Sequence, residues 1–583
     1  MAAFRLDLIR RYLKPHRRTV LMGAIALVVV NILSVTIPLE IRRVIDDLQE
    51  GFAFSDVLAQ AGWIVLLATS MGVARLISRQ LVFGVGRQVE VELRQKLFDQ
   101  MLQQEPGWVQ QTGSGEVISR ATSDVENVRR LLGFAVLSLT NTVLAYAFTL
   151  PAMLAIDPSL TIAAISPYPV MLCAVRLFGG RMMREQRRQQ EALAGLSELI
   201  QEDLSGIAAI KIYSQEQQEL NAFSSRNRGY RDTAIQLART RSTLFPLLEG
   251  ISSISLLLLL ALGSGQLQQG TLSIGSLVAL IFYVLQLVFP TALLGFTLNT
   301  FQTGQVSLER VEELLSRKPL ISDPNEPDHL ELPVRGELEA RNLHIRYDGS
   351  DCDTLNGLSF QIRSGELVAV VGPVGCGKTT LARALGRMVE VPSNQLFLDG
   401  HDLTNLRLND LREQIALVPQ EGYLFTSSLA DNLRYGEPEA DNGRVEAAAD
   451  QARLLGDVRG FPDGMNTLVG ERGITLSGGQ RQRTALGRAL LLKAPVLVLD
   501  DALASVDNNT AAEILASVRR QTQRTIVMIS HQLSAAAACD RILVLDQGRL
   551  VQQGHHSDLI KEQGLYRSLW EREQAAERLE TVA

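Results

Sequence analysis

The sequence has few cysteines and only a small excess of acidic over basic residues. Its 583 residues include only four cysteines, too few and too scattered for a disulfide framework or a zinc site, so we expect reduced thiols. Lys and Arg total 57 against 63 Asp and Glu, so no basic field points to nucleic acid. With 46% apolar and 21% charged residues, the composition excludes disordered, collagen-like and coiled-coil classes. It fits a membrane domain joined to a soluble one.

Charge is absent from several long segments of the first half. The 21 residues of Thr19–Leu39 carry none. At about 1.5 Å per residue, a helix of that length crosses a hydrocarbon layer of roughly 30 Å. Six apolar spans are predicted, of which the fifth contains one charged residue, Glu249, and Pro167 and Pro169 predict kinks in the fourth. The predicted spans are Thr19–Leu39, Val57–Ala74, Leu132–Ile156, Leu160–Val175, Leu244–Ser264 and Leu272–Leu294.

The charged flanks of these spans predict their orientation. Six basic residues precede the first span, whereas acidic residues dominate the loop after it. Positive charge favours the cytoplasmic side, so we expect a cytoplasmic N-terminus, with the stretches 75–131 and 176–243 inside. The basic residues are Arg5, Arg10, Arg11, Lys14, Arg17 and Arg18.

A proline-rich acidic segment separates the two halves of the chain. RKPLISDPNEPDHLELPVRG, residues 317–336, contains four prolines and has the composition of a linker. We therefore predict a membrane domain over 1–318, a linker over 319–335 and a soluble α/β domain over 336–583.

A glycine loop in the soluble half has the strand–loop–helix context of a phosphate-binding site. ELVAVV, residues 366–371, predicts a buried strand, and GPVGCGKTT leads into the helix-forming LARALGRM. Backbone N–H groups and the helix N-terminus would bind phosphates, Lys378 would neutralise their charge, and Thr379 would ligate Mg²⁺. The glycines that permit close approach are Gly372, Gly375 and Gly377.

An acidic residue ends a second predicted strand. In APVLVLDDALASVD the hydrophobic run 496–499 leads to Asp500. An aspartate at a strand end beside a phosphate loop is placed to hold the magnesium shell. Together with the loop, it makes nucleotide hydrolysis the leading hypothesis, with ATP and Mg²⁺ as the expected nucleotide and metal.

The segment between these elements resembles a known family. Residues 476–490, LSGGQRQRTALGRAL, resemble the signature of the ATP-binding-cassette (ABC) transporters, which other phosphate-loop proteins lack. Ser477, Gly478 and Gly479 open a predicted helix, so their hydroxyl and N–H groups form an anion site. The resemblance implies that this site, with Gln480, contacts the nucleotide of an opposed domain.

The resemblance covers nearly the whole chain and implies roles for further residues. Six spans and one cassette resemble an exporter half-transporter, in which two chains form two ATP sites. Tyr347 matches the aromatic on which adenine stacks, Gln420 the glutamine at magnesium and the attacking water, and His531 the histidine at the γ-phosphate. Cys376 and Thr380 complete the implied nucleotide-binding set. The implied magnesium ligands are Thr379, Gln420 and Asp500.

Two intracellular stretches and one cassette segment also resemble exporter features. Residues 112–128 and 206–220 resemble the intracellular loops that carry coupling helices, and LVGERG, residues 468–473, resembles the segment that meets them. Taken alone, each loop also fits a solvated amphipathic helix.

One residue departs from the family pattern. The catalytic base is usually a glutamate after the strand-end aspartate, but this chain has Asp501. The shorter side chain sets its carboxylate back by about 1.5 Å, and a displacement near 1 Å can cost on the order of 100-fold in rate. The family's usual sequence is also replaced at Ala504, Ser505 and Val506, although Asp507 is retained. This combination resembles the degenerate-site member of bacterial heterodimeric multidrug resistance-like exporters.

These observations predict one half of an ATP-driven exporter in the bacterial cytoplasmic membrane. We expect a homologous, non-identical partner chain, hydrophobic or amphipathic cargo, and both termini in the cytoplasm. A homodimer and an ATP-gated channel or regulator remain alternatives, and an importer component is disfavoured because its domains usually lie on separate chains. Cys376, beside Lys378 and a helix N-terminus, is also expected to favour its thiolate.

Overall fold

The chain forms two compact units. The computed structural model describes residues 6–50, 54–347, 350, 352–470, 473–504, 506, 508–521 and 524–582. The first unit comprises Met1–Leu102 and Gly113–Arg317, and the second comprises Gln103–Thr112 and Lys318–Ala583. Assignment of the short stretch 103–112 to the second unit was not expected from the sequence.

The first unit is built from helices. Among its described residues, six stretches are long and apolar enough to cross a membrane, which confirms the predicted six-span architecture. The helices are α1 Leu6–Leu13, α2 Arg17–Glu50, α3 Phe54–Leu102, α4 Pro106–Thr112 (which belongs to the second unit), α5 Ser114–Ser119, α6 Val125–Arg130, α7 Val136–Ile156, α8 Pro158–Ile165, α9 Tyr168–Ser205, α10 Ile207–Ile212, α11 Glu216–Gln268 and α12 Ile274–Ser316. Two π-helical turns, Arg120–Asp124 and Leu131–Ala135, join α5 to α6 and α6 to α7.

Several helices continue far beyond the apolar segments that predicted them. Helix α11 has 53 residues and α3 has 49. At about 1.5 Å per residue, α11 is roughly 80 Å long, more than twice the hydrocarbon thickness. The polar stretches predicted as intracellular therefore continue the apolar helices.

The fourth predicted span has a two-residue break at its proline segment. Helix α8 ends at Ile165, and α9 begins at Tyr168, directly after Pro167. Pro169 lies in the first turn of α9, where the missing N–H of proline breaks no helical hydrogen bond.

A polar contact joins α2 to the start of α12. Asp46 accepts hydrogen bonds from the Ser273 hydroxyl at 2.8 Å and from the Gly275 backbone N–H at 2.9 Å. A Cβ at Gly275 would lie 2.3 Å from the carbonyl oxygen of Arg42, so only glycine permits this approach.

The second unit contains two sheets and the helices packed on them. A four-stranded antiparallel sheet has the order β2-β1-β4-β5, and a six-stranded sheet has the order β10-β9-β3-β8-β7-β6. The strands are β1 Leu338–Ile345, β2 Leu355–Ile362, β3 Leu367–Val371, β4 Leu396–Leu398, β5 His401–Asp402, β6 Ile415–Val418, β7 Val496–Asp500, β8 Thr525–Ile529, β9 Arg541–Asp546 and β10 Arg549–Gly554. The helices are α13 Lys378–Leu385, α14 Leu408–Gln414, α15 Leu429–Arg434, α16 Asn442–Gln451, α17 Leu455–Val458, α18 Gly478–Leu491, α19 Asn508–Gln521, α20 Leu533–Ala536, α21 His556–Leu559 and α22 Leu565–Val582.

Strand β3 is buried on both faces, which explains its continuous apolar run. Leu367, Ala369 and Val371 pack in a core cluster with residues of α18 and α19. Val368 and Val370 pack on the other side with residues of the four-stranded sheet. Strands β6, β7, β8, β3 and β9 run parallel, so their carboxyl ends share one edge.

Within the second unit, a buried carboxylate anchors the start of the linker. Glu105 accepts hydrogen bonds from the backbone N–H groups of Leu320 and Ile321. Glu105 and Ile321 are both buried. Farther along, the backbone N–H of Asp328 donates to the Asn405 carbonyl at 2.9 Å. The linker residues therefore pair with specific partners.

Candidate nucleotide site

The glycine loop lies between β3 and α13, as the sequence predicts. A Cβ at Gly372 would lie 2.1 Å from the carbonyl oxygen of Leu545, and one at Gly377 would lie 2.8 Å from that of Thr354. Gly377 also has φ +101°, a backbone conformation that favours glycine. Gly375 has open space where a Cβ would point. The loop therefore packs closely against its neighbours and leaves room beside Gly375.

The ammonium group of Lys378 lies inside the curve of this loop. Its Nζ donates to the carbonyl oxygens of Gly372 and Pro373, each at 2.8 Å, and the residue is 5% exposed. Because both acceptors are neutral, these hydrogen bonds do not neutralise the lysine charge. A polyphosphate bound by the loop would neutralise it.

A hydroxyl and a buried carboxylate meet at the end of the loop. Thr379 Oγ1 donates to Asp500 Oδ1 at 3.2 Å. Asp500 ends β7 and is 4% exposed, and this burial raises the pKa of its carboxyl, with neighbouring Asp501 adding to the shift. A cation beside Asp500 would offset the cost of a charged carboxylate there.

This pair fits a magnesium ion. Hydroxyl and carboxylate oxygens are the hard ligands that Mg²⁺ prefers, and the ion usually completes its shell with water and substrate phosphates. In the part of the chain that the structure describes, no group of three or more His, Cys, Asp or Glu side chains forms a metal cluster. Most ligands would therefore come from the nucleotide and solvent.

Gln420 and Asp501 form the second polar pair of the site. Gln420 follows β6, and its Nε2 donates to Asp501 Oδ2 at 3.3 Å. Asp501 is 8% exposed and has φ +51°, and its backbone N–H donates to the Ile529 carbonyl at 2.9 Å. Two consecutive acids thus contact different groups, Asp500 the loop threonine and Asp501 the glutamine.

Tyr347 lies against the first turn of α13. Its hydroxyl shares a hydrogen bond of 3.3 Å with Thr380 Oγ1. The tyrosine is half-buried beside the phosphate loop. This position is compatible with stacking on the base of a nucleotide held by the loop.

His531 follows β8 at the same sheet edge and is exposed. The preceding residue, Ser530, donates its backbone N–H to the Val370 carbonyl of β3 at 3.3 Å. The backbone directly before His531 is therefore hydrogen-bonded to β3, the strand that leads into the phosphate loop.

The signature residues begin α18 in a complete capping box. Ser477 Oγ accepts from the Gln480 N–H at 3.3 Å, while the Gln480 carbonyl oxygen Oε1 accepts from the Ser477 N–H at 3.0 Å. Gln480 Nε2 also donates to Asp457 at 3.1 Å, and Ser477 is exposed. The structure thus presents Ser477, Gly478 and Gly479 at a capped helix start, tied to α17 rather than to the phosphate loop.

The prediction that Cys376 favours its thiolate is wrong. Cys376 is 4% exposed and packs in a core cluster beneath the loop. Burial raises the pKa of its thiol, which outweighs the opposite effect of Lys378, whose Nζ is 3.8 Å from Sγ. The sequence shows the neighbouring charge of Lys378 but not the burial that desolvates the thiol. Only the backbone of Cys376 is available to line the phosphate site.

Two residues with long-range contacts carry no recognisable signal in the sequence. Glu573 caps α20, the helix after His531, and Glu105 holds the linker. Glu573 is one of several charged residues in α22, and Glu105 lies in the short connection between α3 and α4, so no local pattern marks either residue. Ser505, Asp507, Glu471 and Arg472, named in the sequence analysis individually or within LVGERG, lie outside the described residues.

Comparisons with known proteins place both units in one family. The family model described as "ABC transporter transmembrane region" matches residues 20–291, and the one described as "ABC transporter" matches residues 355–504.

Curated relatives match over nearly the full length of the chain. A probable multidrug resistance ABC transporter ATP-binding/permease protein of Bacillus subtilis is 30% identical, covering 95% of each chain. The multidrug resistance-like ATP-binding protein MdlA of Escherichia coli is 30% identical over 95% of this chain and 94% of its own. An ATP-dependent lipid A-core flippase of Thiobacillus denitrificans is 30% identical over 96% of each. A solved ATP-bound bacterial Atm1-family ABC exporter is 28% identical, with a TM-score of 0.78 over 96% of this chain and 98% of its own.

Proposed function

Because the chain belongs to the ABC transporters, as an exporter half whose membrane domain is fused to its ATPase domain, we propose that it works with a homologous, non-identical chain. Its enzymatic activity is ATP hydrolysis coupled to transport. The observation that carries the proposal is an aspartate, Asp501, at the position of the base, in a chain whose signature helix has a complete capping box. The aspartate slows hydrolysis at this chain's own ATP site, and the signature helix contributes donors to the partner's site.

Each residue of this chain's own site has a separate role in ATP binding or hydrolysis. The glycine loop and Lys378 bind the phosphates, and Tyr347 stacks on the base. Thr379 and Asp500 would hold Mg²⁺, which would supply charge neutralisation on the phosphates when bound. Gln420 orients the attacking water, and His531 donates to the γ-phosphate.

Of the two consecutive acids, Asp500 and Asp501, it is Asp501 that is placed to accept a proton from the attacking water. Its hydrogen bond with Gln420 keeps its carboxylate near the water position, but the side chain is one methylene shorter than a glutamate. The resulting misplacement slows general-base catalysis. This chain's site therefore binds ATP well and hydrolyses it slowly.

The signature residues act in the other site. Ser477 is exposed at the start of a 14-residue helix, with the N–H groups of Gly478 and Gly479 beside it. A γ-phosphate held by the partner's loop would dock against these donors. Most turnover then comes from the partner's phosphate loop and this chain's signature.

The proposed cargo is hydrophobic or amphipathic. No charge occurs between Glu249 and Glu309, and Glu249, near the start of the fifth span, is the one charged residue in the six predicted spans. Asn31 Nδ2 donates to Asn141 Oδ1 at 3.3 Å, and Gln286 hydrogen-bonds to Ser34. The curated relatives, named for multidrug resistance and for lipid A-core flipping, support the same cargo class. We place the protein in a bacterial cytoplasmic membrane with both termini inside, on the basic N-terminal flank.

The test is to isolate the complex from its native membrane by a tag on this chain. We expect a second, homologous half-transporter in equal amount, and ATP-driven uptake of amphipathic dyes by inside-out vesicles containing both. A complex of this chain alone with full coupled ATPase activity would favour the homodimer. ATP-dependent ionic conductance without uphill transport would favour the channel alternative.

A further inference from the structure

The C-terminal helix α22 contacts the segment that carries His531. The carboxylate of Glu573 accepts the Leu533 backbone N–H at 3.0 and 2.9 Å, one distance to each oxygen, and the Ser534 N–H at 3.3 Å. Gln532, the residue at the N-cap of α20, forms no side-chain cap of its own. A residue 40 positions away in sequence thus performs the capping role that is normally local.

The other side of His531 is also held. Ser530 Oγ accepts the Gln532 N–H at 3.0 Å and lies 3.3 Å from the Gln532 carbonyl oxygen. Ser530 is 8% exposed, and its own N–H bonds to Val370 in β3. The exposed His531 therefore lies between two anchors, one on the strand of the phosphate loop and one on α22.

Helix α22 is itself firmly packed at its start. Tyr566 is fully buried, and its hydroxyl is 2.7 Å from His556 Nδ1. Trp570 packs on the main core cluster and on the His556 ring, with 4.6 Å between ring centroids. Tyr566, Trp570 and Glu573 are spaced at i, i+4 and i+7, so they share one helix face. The Glu573 carboxylate is thus presented from a rigid support.

We propose that Glu573 is a positioning residue for His531. By capping α20 it fixes where the histidine stands relative to a γ-phosphate in the loop. The inference rests on the proposed role of His531 as a γ-phosphate contact. It predicts that loss of the Glu573 carboxylate lowers the preference of this site for ATP over ADP, since ADP has no γ-phosphate, and leaves ADP affinity unchanged.

The test measures both nucleotides at this chain's own site in the complete transporter. ATP and ADP, each with Mg²⁺, compete for photolabelling of this chain by 8-azido-ATP, and the chain is then separated from its partner. We expect Glu573→Ala to lower the ATP-to-ADP preference by about 10-fold, the scale of one charge-assisted hydrogen bond, with ADP affinity within about 2-fold. Glu573→Gln, which keeps one carbonyl oxygen for one N–H, should lose less.

Two further variants distinguish a positioning role of Glu573 from a general loss of structure. Glu571→Ala removes the same charge two residues away, where the carboxylate accepts a hydrogen bond from Arg567 at 2.8 Å, and it should leave the preference unchanged. In a His531→Ala background, Glu573→Ala should add no further loss, because the two residues act through one contact.

The outcomes distinguish the inference from its premise. A wild-type preference in both Glu573 variants, with a loss in His531→Ala, would overturn the positioning role and leave the histidine contact intact. An unchanged preference in His531→Ala would overturn the proposed histidine contact and the positioning role with it. Additive losses in the double variant would show that Glu573 acts independently of His531.

Discussion

The side-chain amide of Gln420 donates a hydrogen bond to the carboxylate of Asp501, with 3.3 Å between Nε2 and Oδ2. The pair joins the end of β6 to the end of β7, two neighbouring parallel strands. A glutamate in place of Asp501 would extend about 1.5 Å farther from the backbone. The aspartate thus reaches the glutamine but falls short of the position that a longer base would occupy.

Lys378→Ala should weaken ATP binding at this chain's site by on the order of 10–100-fold. The substitution removes the ammonium from inside the loop, leaving backbone N–H groups and Mg²⁺ to neutralise the phosphates. Photolabelling of this chain by 8-azido-ATP at graded concentrations measures the loss. Lys561→Ala, at an exposed lysine of the same unit, is the control and should bind normally. Wild-type affinity in Lys378→Ala would contradict the phosphate-loop assignment.

Cys376 should react slowly with maleimide at neutral pH. Burial raises the pKa of its thiol, so the reactive thiolate is scarcer than in a free cysteine. Exposed Cys352 should be modified first, and labelling of Cys376 should increase as pH rises toward its elevated pKa. Peptide mass spectrometry after timed labelling of the nucleotide-free complex gives both rates. Faster labelling of Cys376 than of Cys352 at pH 7 would restore the thiolate expectation.

Glu105→Ala should loosen the start of the linker. The change leaves the Leu320 and Ile321 N–H groups without their acceptor, and Ile321 is buried, so we expect a cost of about 1–3 kcal/mol. The measurement is limited proteolysis between residues 318 and 335 in the intact complex. Glu331→Ala, at an exposed linker glutamate, should cleave at the wild-type rate. Equal cleavage of Glu105→Ala and Glu331→Ala would show that Glu105 does not hold the start of the linker.

Local patterns predicted the elements of this protein better than its long-range contacts. Long apolar runs predicted the six spans, and the strand–loop–helix pattern predicted β3, the glycine loop and α13, because both properties reside in contiguous residues. The hydrogen bonds that the Ile321 and Leu533 N–H groups donate to Glu105 and Glu573 cross 216 and 40 residues, so no spacing rule reveals them. The Cys376 expectation failed because burial of the thiol depends on tertiary packing.

The unequal-site proposal is tested most directly by two substitutions in the purified complex. Asp501→Asn should lower steady-state ATPase by less than about 2-fold, because this chain's own site contributes little turnover. Ser477→Arg should lower it by on the order of 100-fold, because bulk at the exposed helix start blocks docking of the partner's γ-phosphate and removes one donor. Ser557→Arg, at another exposed serine, controls for the added arginine and should be silent. In a homodimer Asp501 is the base at both sites, so Asp501→Asn would nearly abolish hydrolysis while ATP still joins the cassettes. Near-total loss in that variant would therefore replace the heterodimer with the homodimer.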